Sequence, residues 1–173
     1  ATSQMAYDLR ATMNRPETAR YVKISIEPNG WVFLDEVEIL KNYSAIVTDK
    51  ANNLAYKKVY TSNPAASTEY PDTFAITKLT DGQCATANYR NPAWVGYGIS
   101  SKDTEIVIDL GTVASFEQVE ATFLNDERNG FKAPATMRVY HSLDKQNWQE
   151  AAPVNAIAPF GNVPTICFIQ SVV

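Results

Sequence analysis

The chain is poor in the residues on which most catalytic and metal chemistry depends. Its 173 residues include one histidine, His141, so a Ser-His-Asp or Cys-His mechanism has a single candidate base. The same scarcity argues against a histidine-rich metal site. There are two cysteines, Cys84 and Cys167. Neither belongs to a CxxC pair, which argues against a zinc or iron–sulfur site; a disulfide between them and two buried free thiols are both open. No Gly-x-Ser-x-Gly elbow, His-Glu-x-x-His or phosphate loop is present. Two carboxylates at a catalytic separation make a glycosidase, but Asp126 and Glu127 are adjacent, and nothing marks a partner across a cleft. The chain is therefore expected not to be an enzyme.

Long apolar runs are missing as well. No stretch is long enough to span a bilayer and no signal peptide is visible. The sequence opens at Ala1, so a leader or flanking domains outside it remain open. Basic patches are absent too: 15 Lys and Arg are scattered among 19 Asp and Glu, for a net charge of −4. A nucleic-acid partner would ask for a basic stripe. Helical periodicity is scarce; the segment Met5 to Met13 (MAYDLRATM) is the one place where a helical turn or two is expected.

What the chain has is alternation. Tyr21 to Ile26 (YVKISI) puts Val22, Ile24 and Ile26 on one face. Phe33 to Leu40 (FLDEVEIL) puts Val37 and Ile39 on one face and Glu36 and Glu38 on the other. Further strands are expected at Glu105 to Leu110, Phe116 to Leu124, Thr136 to Ser142 and Ile166 to Val173. Turn residues separate them, among them Pro28-Asn29-Gly30, Asp81-Gly82, Asn129-Gly130 and Gly161-Asn162. Short strands with frequent turns predict an all-β sandwich or jelly roll. The length suits one core and is short for two. No phrase repeats, and a polar stretch of about residues 43–53 reads as a linker.

Several phrases together resemble the discoidin, or coagulation factor 5/8 type C, superfamily, whose bacterial members include the family-32 carbohydrate-binding modules. They are KLTDGQCAT at 78–86, AWVGY at 93–97, EIVIDLG at 105–111, NDERNGFKAP at 125–134 and MRVYHSLDKQNW at 137–148. The family's closing phrase is matched by ARYVKISI followed by WVFLDEVEIL, which here comes first, at 19–40. The resemblance implies a discoidin-like β-sandwich, either circularly permuted or cut across a tandem repeat. Permutation is the preferred reading, because every phrase occurs once: residues 1–42 supply the closing strands and 54–173 the remainder of one domain. Natural termini often lie close together at the surface, which makes such a rearrangement cheap.

The resemblance also implies a structural calcium held by the Asp81 loop and the closing strand. Its ligands would be the carbonyls of Lys78 and Gln83, Asp81, Thr86, the Asp35 carbonyl and the Glu36 carboxylate. Calcium takes six to eight oxygens at roughly 2.3–2.6 Å, so one acid in one loop is too few. The plain alternative is an Asp-Gly turn with Glu36 facing solvent.

In discoidin-like folds the ligand sits among loops at one end. Here those loops are 68–72, 88–97 and 125–134, and they supply Tyr70, Tyr89, Arg90, Trp94, Asn125, Asp126, Arg128 and Asn129. Rings cover the apolar face of a sugar, while Arg, Asn and Asp reach its hydroxyls. Trp94, ahead of Val95-Gly96, reads equally as a core residue. Trp31 and Trp148 belong to phrases expected to pack the sandwich, and His141 to a strand. The implied function is a non-catalytic module tethering a bacterial extracellular enzyme or surface protein to a polysaccharide or oligosaccharide. It would be secreted or displayed on the cell surface and attached to a catalytic domain or other modules. A discoidin-type adhesion domain for protein or lipid, and a ligand-free spacer, are the alternatives.

Overall fold

The computed structural model of the chain describes residues 5–42, 50–73, 75–134, 136–151 and 159–160. Its spine is a pair of long antiparallel strands, β1 (Met5–Glu27) and β5 (Thr104–Asn125). Each is interrupted once. Residues 13–16 of β1 bulge out between the Thr12–Gln118 and Glu17–Phe116 pairs. Residues 110–113 of β5 do the same between Tyr21–Asp109 and Ala19–Ala114. Pro16 has no N–H to give a ladder, so it belongs in such an excursion. Gly111, at φ +82°, takes the left-handed conformation that its own excursion requires.

These interruptions let one pair of strands serve two half-sheets. In the first, the order is β8 (Pro159–Phe160), the first part of β1, the second part of β5, β2 (Val32–Leu40) and β4 (Val95–Tyr97). In the second it is β3 (Tyr60–Asn63), the first part of β5, the second part of β1, β6 (Thr136–Ser142) and β7 (Gln149–Glu150). The chain folds as an all-β sandwich. Val37, Ile39, Val119 and Ala121 from one half meet Val22, Ile24, Ile106, Ile108 and Val139 from the other in a single apolar cluster.

Most expected strands are present, and the exceptions are instructive. Met5 to Met13 is strand, not helix: Leu9, Ala11 and Met13 alternate into the core, and period-two burial overrides weak helical propensity. Glu105–Leu110 and Phe116–Leu124 are two stretches of one interrupted strand. The stretch expected at Ile166 to Val173 lies outside the described residues, as do residues 43–49 of the expected linker. The rest of that linker is docked: Leu54 N donates to Ile39 O at 2.7 Å, and buried Asn53 accepts the Ile39 and Ala55 N–H groups through its side-chain oxygen at 3.1 and 3.0 Å.

The register fixes which loops share an end. Ala6 and Leu124, near the start of β1 and the finish of β5, belong to the same small cluster as Phe33 at the start of β2. β1 then runs to the far end, crosses at 13–19, and returns to Glu27, just before the turn that leads to Trp31.

Candidate functional site

The end of the sandwich beside Phe33 gathers the three loops singled out from sequence. Phe131 stacks on Phe33 with centroids 4.1 Å apart, Tyr70 meets Phe33 at 4.5 Å, and Tyr89 meets Phe131 at 5.4 Å. Trp31 stands edge-on to Phe33, Tyr70 and Phe131 at 6.4, 5.8 and 6.5 Å. The cluster has a buried floor of Phe33 and Phe131 and half-buried walls of Trp31, Tyr70 and Tyr89. Gly96 is required here: a Cβ would lie 2.7 Å from both the Phe33 ring and the Tyr70 Cβ. Tyr70 is held by its carbonyl, which accepts Gly96 N at 2.9 Å.

Not every expected contact residue is offered to a ligand. Trp94 is 1% exposed, and its indole N–H donates to the carbonyls of Thr86 and Asn88 at 3.0 and 3.1 Å. It is a core residue that pins the 86–94 loop and not a surface platform. Asp126, also 1% exposed, accepts Asn129 Nδ2 at 2.7 Å while its backbone pairs with Phe131 in both directions. Its role is to close the 126–131 turn, which Gly130 completes at φ +84°. Asn125 likewise turns its side-chain oxygen to Ala133 N at 3.2 Å. What faces outward is Arg90, whose guanidinium lies over the Tyr89 ring at 5.4 Å and donates to the Tyr89 hydroxyl at 3.1 Å, and the exposed Arg128 and Asn129. Sequence reasoning missed Trp31 as a wall and Phe131 as the floor. The signal was available: Trp31 directly follows the Pro28-Asn29-Gly30 turn, so it had to sit at a loop end.

The second expected constellation is also assembled. The 78–86 loop lies over β2. Gly82 N faces both Glu36 carboxylate oxygens at 3.2 Å, and Ala85 N donates to Asp35 Oδ2 at 2.6 Å. Glu36 therefore does not face solvent; it is 2% exposed. Burial first, then the neighbouring Glu38, Asp35 and Asp81 carboxylates, push its carboxyl up to about 11, against one backbone N–H from Gly82. Burial also raises Asp81, whose Oδ1 accepts Gln83 N at 2.8 Å. Thr86 is exposed, with its carbonyl on Trp94 and its hydroxyl 3.3 Å from Asn91 Nδ2. The Lys78 N–H donates to Asp72, and its ammonium to the Pro71 carbonyl at 2.7 Å. Among the described residues no group of three or more His, Cys, Asp and Glu side chains is arranged to hold a metal. Carbonyl ligands would have to complete any coordination around Glu36 and Asp81. Cys84, in the same loop, is disulfide-bonded, and Cys167 lies outside the described residues.

The acidic face of β2 continues as a buried polar row. Arg10 Nε lies 2.7 Å from Glu120 Oε1, Gln118 donates to the same Glu120, and Thr12 donates to Gln118 at 2.8 Å. Alternation in β2 placed Glu36 and Glu38 together; only the fold shows that their side of the sheet is covered. Comparison of the chain with protein-family models, curated proteins and solved structures returned no match.

Proposed function

We propose that the chain is a non-catalytic carbohydrate-binding module of discoidin-like type, circularly permuted, that tethers a larger extracellular protein to a glycan. The observation that carries this reading is the convergence of the 68–72, 88–97 and 125–134 loops with Trp31 on one ring cluster edged by Arg90, with Arg128 exposed in the turn that precedes Phe131. Half-buried rings offer a rigid apolar surface to a pyranose, and guanidinium and amide groups beside them reach hydroxyls. The disulfide at Cys84 supports an oxidising, extracellular setting. Tethering would raise the local concentration of an attached enzyme on its polymer.

Calcium belongs to the same proposal. Glu36 and Asp81 would hold it with carbonyls of the 78–86 loop. A carboxyl buried among three other acids keeps its proton in the metal-free fold, and a hard cation would take that proton's place. The ion would clamp β2 to the body of the sandwich.

A glycan array and affinity gels of insoluble polysaccharides, run with calcium, test the binding. A small single site is expected to bind with a dissociation constant on the order of 10⁻⁵ to 10⁻³ M. Trp31→Ala and Tyr89→Ala are expected to abolish retention. Blank arrays and gels would remove the sugar-binding reading. An adhesion role is the second reading, favoured by Ile99, which is 76% exposed two residues beyond β4 at this same end. Retention on anionic lipid vesicles, lost in Ile99→Ser, would select it.

A further inference from the structure

At the opposite end of the sandwich, where β1 crosses between the half-sheets, lies a pocket of about 230 Å³ that the ring cluster does not touch. Thr18, His141, Leu143, Asp144, Asn147 and Gln149 line it. We propose that this pocket is a second binding site, for a small neutral polyhydroxylated molecule such as one monosaccharide unit.

Size is the first argument. The pocket falls below the roughly 300–1,000 Å³ typical of drug-sized ligands, so it suits a single ring or a short polyol. Hydrogen-bonding capacity is the second. The Thr18 hydroxyl and the Gln149 amide are exposed and make no side-chain hydrogen bond among the described residues. Asn147 spends one N–H on Asp144 Oδ2 at 2.6 Å and keeps its carbonyl. Hydroxyl, amide and imidazole groups each offer or accept protons, which matches an array of sugar hydroxyls that do both.

The carboxylates beside the pocket already have partners. Asp144 is consumed by its own turn: Gln146 N, Asn147 N, Asn147 Nδ2 and Ser142 Oγ all donate to it, at 2.6 to 3.0 Å. Those donors, led by the Asn147 N–H, hold its carboxyl well below the usual range. Glu17 Oε2 is 3.4 Å from His141 Nε2, so that acid is also faced. That leaves the Thr18 hydroxyl and the Gln149 and Asn147 amides as the partners the pocket offers, and these are neutral. Leu143, 60% exposed at the rim, supplies apolar contact for ring C–H groups. His141 is steadied from behind by Phe116, edge-on at 6.4 Å, so its imidazole is a fixed wall of the site.

His141 is also the reporter, since the chain has no other histidine. Its ring resonances are followed by NMR in labelled protein while glucose, galactose or N-acetylglucosamine is added, with ethanolamine and acetate as charged probes. At least one neutral sugar is expected to shift them saturably, with a dissociation constant on the order of 10⁻³ M. Thr18→Val with Gln149→Ala removes two exposed partners, leaves the melting curve unchanged, and is expected to weaken binding at least about tenfold. Arg90→Ala with Arg128→Ala at the other end is expected to change nothing. No shift with any of the three sugars at roughly 100 mM, about one hundred times a millimolar constant, overturns the proposal. So does undiminished binding by the double variant, or a response to the charged probes alone. A null result leaves the glycan-tethering reading standing, since that one is measured at Trp31 and Tyr89.

Discussion

Trp94 and Glu36 are two residues that the sequence leaves open to the surface and whose positions are interior. Trp94 fills the base of the loop cluster and satisfies two carbonyls at once. Trp94→Ala is expected to cost about 3–5 kcal/mol, a large part of a total that is typically about 5–15 kcal/mol, and to lower the urea midpoint sharply. Arg128→Ala, on an exposed loop, is expected to weaken glycan binding with the midpoint unchanged. An alanine at 94 that melts like the parent would sink the core assignment. Glu36 sets a pH dependence. Its carboxyl is raised in the folded chain, from an ordinary 4.5 to about 11, so the folded state keeps a proton that the unfolded state releases. Its contribution to stability is complete below the ordinary value and is lost as pH climbs toward the raised one. Urea midpoints in chelator are expected to fall between about pH 5 and pH 9. Calcium is expected to flatten that fall by standing in for the proton, and Glu36→Gln to remove both the slope and the calcium effect.

At the scale of elements, β1 and β2 carry more than their place near the start of the chain suggests. β1 pairs with β5 along nearly its whole length and also with β6, and β2 separates β5 from β4. Deleting residues 1–42 strips β5 of a neighbour on both sides in the first half-sheet and leaves long unpaired edges, which aggregate. The remainder is expected to be insoluble or molten, without near-ultraviolet circular dichroism. A soluble remainder with sharp thermal unfolding would show that the N-terminal strands are not integral to the fold. Gly96 is the local counterpart. Gly96→Ala drives a methyl into Phe33 and Tyr70, an overpacking that typically costs about 1–3 kcal/mol. It is expected to loosen Tyr70 and weaken glycan binding together.

Taken whole, the two half-sheets share one apolar cluster and two strands, so neither half has a core of its own. Unfolding is therefore expected to be a single transition, with fluorescence and far-ultraviolet circular dichroism coinciding. Calcium at one hundred times its dissociation constant adds about 2.7 kcal/mol. For a chain of this length that raises the melting temperature by about 5–11 °C. An unchanged melting temperature in strong chelator, with no metal by elemental analysis, would remove the calcium clamp.

Alternation alone determined the all-β class, the Val22, Ile24 and Ile26 face, the Val37 and Ile39 face, and the bounds of β6, because period-two burial is written locally in a strand. Loop composition likewise named Tyr70, Tyr89 and Arg90. Three matters were decided only in the folded chain. Met5 to Met13 became strand because Ala121 and Val119 of β5 lie opposite Leu9 and Ala11. Trp94 turned inward and Trp31 became a wall because loops far apart in sequence close over Phe33 and Phe131. Glu36 was buried because the 78–86 loop lies across its side of β2. Each depends on a contact between distant segments, and no local pattern encodes which distant segment will arrive.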